Sequence, residues 1–157
     1  MADTAVTLSS TRFTPLTNPE RHNGFTHKWT IRYSDMAFGA GSTDTVTVTL
    51  GSTPSKWICT QAVAVLRTVF AGTTGGLSIK VGATDDDFAL AAVSVLSGSV
   101  LQPSTGANTV AAPSGAFGAS AQTLKAIFTN STSGSPAGVT SGEIDIYLSL
   151  VDLTKLG

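Results

Sequence analysis

Three consecutive carboxylates, Asp85, Asp86 and Asp87, form the densest group of ionisable side chains in a sequence with only ten acidic residues. A calcium site requires about six to eight oxygen ligands converging on one ion, and the EF-hand loop places Gly at its sixth position and Glu at its twelfth. This sequence has neither residue at those positions. We therefore predict no metal site here, and expect the three acids in a turn or a first helical turn, where carboxylates favour free N–H groups.

A second pair of acids, Glu143 and Asp145, is separated by one residue in "GEIDIYL". In a strand this spacing places both carboxylates on the same face, so a glycosidase-like pair is conceivable. Nothing in the sequence raises the pKa of either residue. A solvated strand face, or pairing with Lys or Arg at a subunit contact, is the favoured interpretation.

The residues available for nucleophilic or metal chemistry are few. The histidines are His22 and His27, and the single cysteine, Cys59, lies in the apolar stretch "WICTQAVAVL". Two histidines five residues apart and one remote cysteine are a poor zinc ligand set. One cysteine excludes an intrachain disulfide, and its setting predicts a buried small apolar residue. We therefore predict a non-enzymatic protein without a cofactor.

The composition indicates the elements that hold these residues. The chain has 157 residues, which fits one domain, and only 12% of them are charged. It contains 24 Thr, 18 Ser and 16 Gly, which suit strands with one wet face and the turns between them. The fold class predicted is therefore all-β.

Charge and hydropathy exclude two classes of partner. The net charge is −1 and the nine Lys and Arg residues are scattered, so the basic footprint of a nucleic-acid-binding protein is missing. The apolar runs, such as "AVAVL" and "FALAAV", are too short to cross a membrane. The N-terminus lacks the basic start and apolar run of a signal peptide, so we expect synthesis in a cytoplasm.

Alternation of apolar and polar residues predicts about eight strands in an antiparallel β-sandwich or jelly-roll-like domain at 27–157, preceded by an extended N-terminal arm at 1–26. A short strand is expected at "AVTLS" in the arm. The segment 57–71 is predicted to be a central strand, bent or bulged at Arg67 and Thr68. At 85–97 a helix is possible, but a turn followed by a strand is favoured. The side chains predicted to face inward are Trp29, Ile31, Tyr33, Val46, Val48, Leu50, Leu77, Ile79, Val81, Leu124, Ala126, Phe128, Ile144, Ile146, Leu148 and Leu150.

The C-terminal half resembles small virion proteins of tailed bacteriophages over roughly residues 77–153. The resemblance rests on "LSIKVGATDDDF", a long small-residue loop closing at "GAF", and "TLKAIFTNSTSGSPAGVTSGEIDIYLSLVDL". It is a pattern of strands and turns rather than a catalytic motif. It implies a capsid decoration (cement) protein or a related head or tail protein. This resemblance leads us to expect a β-sandwich or jelly-roll fold. Proteins of this family are often homotrimers and bind the outside of the major capsid protein.

We therefore predict that the chain is a phage decoration protein on the virion surface. Its predicted function is to bind the outer surface of the coat lattice and stabilise the head. The candidate docking residues, all in the arm, are Arg12, Phe13, Arg21 and His22. The competing interpretation of the arm is a loose terminus or a strand that completes the domain's own sheet. The alternative function is a receptor- or glycan-binding module of a tail fibre or spike, with an exposed Trp57 lining a groove formed by the loops at 102–121 or 131–142. A hydrolase using Glu143 and Asp145 ranks last.

Overall fold

The computed structural model describes residues 3–7, 13–15, 24–36, 45–53, 55–72, 76–82, 88–94, 100–101, 121–130 and 139–156. These residues form ten strands and two short 3-10 turns, at Tyr33–Asp35 and Leu153–Lys155. The all-β class is therefore confirmed. The strands are β1 Asp3–Thr7, β2 Phe13–Pro15, β3 His27–Arg32, β4 Thr45–Thr53, β5 Trp57–Ala71, β6 Leu77–Gly82, β7 Phe88–Ser94, β8 Val100–Leu101, β9 Gln122–Asn130 and β10 Ser141–Asp152.

The strands are arranged in two five-stranded sheets. Sheet A has the order β1-β4-β9-β6-β7, and sheet B has the order β2-β3-β10-β5-β8. All neighbouring strands pair antiparallel except β1 and β4, which are parallel. Strands β3 and β5 flank β10 on either side, so side chains from three strands converge on the solvent side of β10.

One hydrophobic core cluster contains residues from both sheets, including Ile31 and Ile144 of sheet B and Val46 and Phe128 of sheet A. Alternate residues along each strand point to the same side, and this explains why the apolar members of "TVTVTL" and "LSIKVG" are buried while their Thr, Ser and Lys neighbours are partly exposed. The inward residues predicted from alternation are confirmed, with the exception of Tyr33.

Tyr33 was predicted to continue the inward face of β3, and this prediction is wrong. The strand ends at Arg32, whose N–H donates to Asp35 Oδ2 at 2.7 Å, and a 3-10 turn follows. The turn breaks the two-residue alternation, so the Tyr33 side chain is 41% exposed and Met36 is buried instead. The capping carboxylate three residues after Arg32 decides this local geometry.

The ten strands exceed the eight predicted for two reasons. The three-residue β2 has no periodicity that the sequence could show, and the apolar run at 88–101 is divided between β7 in sheet A and β8 in sheet B. Strands of two or three residues exist only because a longer neighbour provides hydrogen-bond partners. At 88–94 the favoured strand is confirmed over the helix.

Two segments of the predicted arm pair with the domain. Strand β1, which overlaps the short strand expected at "AVTLS", pairs with β4 at the edge of sheet A, and β2 pairs with β3 at the edge of sheet B. These segments therefore complete the chain's own sheets, as the competing interpretation of the arm required. The domain boundary at residue 26 stays a prediction.

Candidate functional site

The most organised group of polar side chains lies on the solvent side of β10, and it begins with a bulge in β5. Leu66 pairs with Ile144 and Thr68 pairs with Glu143, which leaves Arg67 as an extra residue in β5. A bulge bends its strand and changes the direction of a side chain. This is the irregularity predicted from the Arg67 and Thr68 interruption, and it brings the Arg67 guanidinium onto Asp145.

The Asp145 cluster consists of Lys28, Thr30, Arg67, Asp145 and Tyr147. Thr30 Oγ1 donates to Asp145 Oδ1 at 2.7 Å, and Arg67 Nε donates to Asp145 Oδ2 at the same distance. Lys28 Nζ lies 2.9 Å from Oδ2. Arg67 Nη2 also donates to the Tyr147 hydroxyl at 3.1 Å, and Lys28 Nζ lies 5.7 Å from the centroid of the Tyr147 ring. The Asp145 carboxylate therefore accepts hydrogen bonds from both neighbouring strands, β3 and β5.

Asp145 is only 2% exposed, although it lies on the solvent side of its strand. Burial by itself raises the pKa of this carboxyl, but the hydrogen bonds from Thr30, Arg67 and Lys28, with the charge of Lys28, lower it below the ordinary value. The group is therefore a stable anion near neutral pH. The solvated strand face predicted for this residue is wrong. The carboxylate pairs with Lys28 and Arg67 of its own chain, whereas the sequence predicted such pairing at a subunit contact.

Glu143, the second acid of the predicted pair, makes a separate ion pair. Its Oε2 accepts from Arg32 Nε at 2.6 Å, and both side chains are substantially exposed. Because the carboxyl of Asp145 holds its charge, it does not provide the raised pKa that the acid of a glycosidase pair requires. The arrangement is suited to joining β3, β10 and β5.

A second feature links the two sheets through the core. Trp29 Nε1 donates to the Leu50 carbonyl at 2.7 Å. Leu50 is the extra residue of a bulge in β4, because Thr49 pairs with Lys125 and Gly51 pairs with Leu124. The indole of Trp29 in sheet B therefore bonds the backbone of sheet A at this bulge. Sequence alternation predicted the burial of both residues but not this bond.

Two tryptophan rings lie around His27. The His27 ring stacks on Trp29 with centroids 5.7 Å apart, and it meets Trp57 edge-on at 6.2 Å. Burial lowers the pKa of His27, which begins β3 and pairs with Pro15 of β2 and with Leu148 of β10. Trp57, the candidate sugar-stacking residue, is partly buried against the core.

Cys59 is buried, as predicted, and burial raises the pKa of its thiol to about 11. A thiol with this pKa is almost entirely protonated at neutral pH, whereas the thiolate is the nucleophilic form. Among the residues that the structure describes, no three His, Cys, Asp or Glu side chains are grouped so that they could hold a metal ion.

The docking residues Arg12, Arg21 and His22 lie outside the described part of the chain. The turn predicted at Asp85, Asp86 and Asp87 and nearly all of the two long loops also lie outside it. For Phe13 the structure gives the backbone, which pairs with Trp29 of β3. The residues that the structure does bring together, Lys28, Thr30 and Arg67, were not chosen as site residues. Their one sequence signal was a polar position on each strand beside the acidic face of β10.

Comparison with known proteins gives no relative: no protein-family model, no curated protein and no solved structure matches the chain. Within the described residues, no helix is long and apolar enough to cross a membrane.

Proposed function

We propose that this chain is a non-enzymatic phage capsid decoration protein, folded as an antiparallel β-sandwich of the jelly-roll type, that binds the outer surface of the coat lattice and stabilises the head. The C-terminal resemblance to small virion proteins supports the major capsid protein as the proposed partner and a homotrimer on the virion surface as the proposed assembly.

The observation that carries the proposal is the use made of the ionisable side chains. The strongest cluster of charges joins three strands of one sheet and holds its carboxylate as an anion. Charge committed to holding the strands of a sheet together suits a shell component, whose task is mechanical. A surface with few charges also lowers the desolvation cost of contacts with a neighbouring protein.

A second argument for the proposal is the number of binding sites that a shell provides. A lattice offers many equivalent sites, so weak contacts from each copy add up through avidity without one deep pocket. Arg12, Phe13, Arg21 and His22 remain the proposed docking residues. Because Phe13 belongs to β2 at an edge of sheet B, a partner at that edge would contact the domain and the arm together.

The test is quantification of this chain against the major capsid protein in purified virions by mass spectrometry. We expect a ratio near one copy per coat subunit or a simple fraction of it. A handful of copies per particle would instead indicate a tail or portal component, and absence from the virion would reject the proposal.

A binding assay locates the contact. Purified protein is mixed with coat shells that lack it, and bound copies are counted after sedimentation. The double substitution Arg12→Ala with Arg21→Ala is expected to reduce occupancy at least about tenfold if both cations contact the coat. The matched control is Lys155→Ala, which removes an exposed cation at the other end of the chain and should leave occupancy unchanged.

A further inference from the structure

His27 is the first residue of β3, and its imidazole lies between the two tryptophans. The ring stacks on Trp29, with the centroids 5.7 Å apart and 14° between the planes, and it meets Trp57 edge-on at 6.2 Å. Its Nδ1 lies 2.6 Å from the Thr26 hydroxyl. The half-buried imidazole is therefore held by two indole rings and one hydroxyl group.

The Thr26 hydroxyl joins this ring to β10. It accepts from the Leu150 N–H at 2.9 Å, and its oxygen lies 3.3 Å from the Leu148 carbonyl. A hydroxyl group has one proton to donate. An unprotonated Nδ1 of His27 accepts that proton, whereas an imidazolium donates to the hydroxyl and turns its proton toward the Leu148 carbonyl. The protonation state of His27 therefore determines how Thr26 is bonded to β10.

The start of β3 also carries the attachment of β2. The three residues of β2 face the first three residues of β3 in antiparallel register, with Pro15 opposite His27. Within the described strands, β3 is the only neighbour of β2, and Pro15 has no N–H to donate. Segments held by few pairs open before the core does, so β2 is one of the elements of sheet B that separate at the lowest cost.

A charge on His27 is disfavoured in this setting, because burial between the indoles removes water from the ring and lowers its pKa. Neither β2 nor β4 has an ionisable side chain. In the described part of the chain, the ionisable groups at this end of β3, β5 and β10 are Lys28, Lys56, Cys59 and Asp152. Lys28 is bound within the Asp145 cluster, Lys56 is exposed, Cys59 stays neutral, and Asp152 is bonded to the turn that follows it.

We infer that protonation of His27 at mildly acidic pH releases β2 from the edge of sheet B, so that His27 controls the attachment of the strand that contains Phe13. An imidazolium requires water, and separation of β2 hydrates the start of β3 at the cost of three edge pairs rather than the core. The pKa of His27 is lower with β2 attached than with β2 released. Attachment is therefore complete above the ordinary histidine pKa of about 6.5 and weakens as the pH falls through the pKa of the attached state.

Phe13 is one of the proposed docking residues, so the inference makes docking to the coat depend on pH. This consequence rests on the proposed function. The release of β2 does not, because it is measured on the purified protein alone. Failure to bind coat shells at any pH would reject the function without affecting the inference, and a β2 that stays attached in acid would reject the inference alone.

The first experiment follows tryptophan fluorescence. The chain has two tryptophans, Trp29 and Trp57, and both lie beside His27, so their emission reports the state of this ring. An imidazolium quenches a neighbouring indole more strongly than the neutral ring does. Between about pH 8 and pH 5 we expect emission to fall with a midpoint below about 6.5, and the transition to be absent in His27→Gln. His22→Gln, at the chain's other histidine, is the matched control and should keep the transition. A transition that persists in His27→Gln would overturn the inference.

The second experiment measures the release of β2 by hydrogen exchange and mass spectrometry. Exchange at about pH 5.5 and about pH 7.5, corrected for the intrinsic effect of pH on the rate, is compared for a peptide containing β2 and for one from β9 as the internal control. In the natural protein we expect the β2 peptide to lose its protection at the lower pH while β9 keeps it. Both His27→Gln and His27→Phe, which have no charge at this position, should keep β2 protected, and circular dichroism checks that they are folded. Equal protection of β2 at the two pH values, or the same loss in the variants, would contradict the inference.

Discussion

Asp145 shows how one residue can be polar by sequence and buried by structure. Its side chain projects from the solvent side of β10, but Lys28 and Arg67 from the adjacent strands cover it. A carboxylate that loses hydration is destabilised unless other groups replace the lost bonds. Three donors do so here, so this residue makes β3, β10 and β5 depend on one another.

Replacement of Asp145 by Asn is expected to lower the free energy of unfolding by about 1–3 kcal/mol. Breaking a buried ion pair costs about 3–5 kcal/mol, but Arg67 and Lys28 are 48% and 28% exposed, so solvent offsets part of the loss. Urea unfolding measures the change. The matched control Glu143→Gln, at an exposed pair, should cost less than about 1 kcal/mol, and an equal effect of both would contradict the burial argument.

The same carboxylate predicts a dependence of stability on pH. The pKa of Asp145 is lower in the folded protein than in the unfolded chain, so its contribution is complete above the unfolded pKa of about 3.9. That contribution is lost as the pH falls through the folded pKa. As the pH is lowered from neutral to acidic, the free energy of unfolding should therefore fall less in Asp145→Asn than in the natural protein. Parallel curves would show that Asp145 is not the responsible group.

At Trp29, replacement by Phe keeps most of the apolar ring but removes the donor to the Leu50 carbonyl. A buried carbonyl left without a partner costs about 1–3 kcal/mol, and we expect a loss of that size in urea unfolding followed by far-ultraviolet circular dichroism. Trp57→Phe, at a partly buried ring, is the control and should cost less. A larger loss of stability in Trp57→Phe than in Trp29→Phe would exclude the hydrogen bond from Trp29 to Leu50 as a major contribution to stability.

At the scale of elements, the start of β10 depends on the absence of a side chain at Gly142. Its φ is +144°, and a Cβ there would fall against Cγ and Cδ1 of Phe70. Phe70 is buried and packs on Phe128 with centroids 5.6 Å apart, so the ring has little room to move. The packing of β5 and β10 therefore fixes this residue as glycine.

Gly142→Ala should accordingly destabilise the protein by about 1–3 kcal/mol from overpacking, in addition to backbone strain. Gly51→Ala is a close control, because Gly51 has a φ of +147° but no atom within 4 Å of its Cβ position. The difference between the two variants in thermal unfolding isolates the contact with Phe70. A difference near zero would mean that backbone strain alone accounts for the effect.

For the whole molecule, the shared core makes the two sheets one cooperative unit. Neither sheet can bury its apolar face alone, since the core cluster takes residues from both. We expect thermal unfolding to be a single transition, with near- and far-ultraviolet circular dichroism giving the same midpoint. Two separated transitions would show that one sheet persists without the other.

The sequence by itself determined the all-β class, most strand positions and most of the core. These depend on local alternation, as in "TVTVTL" and "EIDIYLSL", because a strand with one buried face must repeat every two residues. The burial of Cys59 and the irregularity at Arg67 were also predictable, since an apolar setting and a charge that interrupts an apolar run are both local signals.

Only the tertiary structure decided which residues meet. Lys28, Arg67 and Asp145 are far apart in the chain, and their contact depends on β10 lying between β3 and β5 and on the bulge that redirects Arg67. The strands β2 and β8 likewise exist through their neighbours, and the bond from Trp29 to Leu50 requires two sheets. Such features come from pairing between distant segments, and the periodicity of a single segment carries no record of its partner.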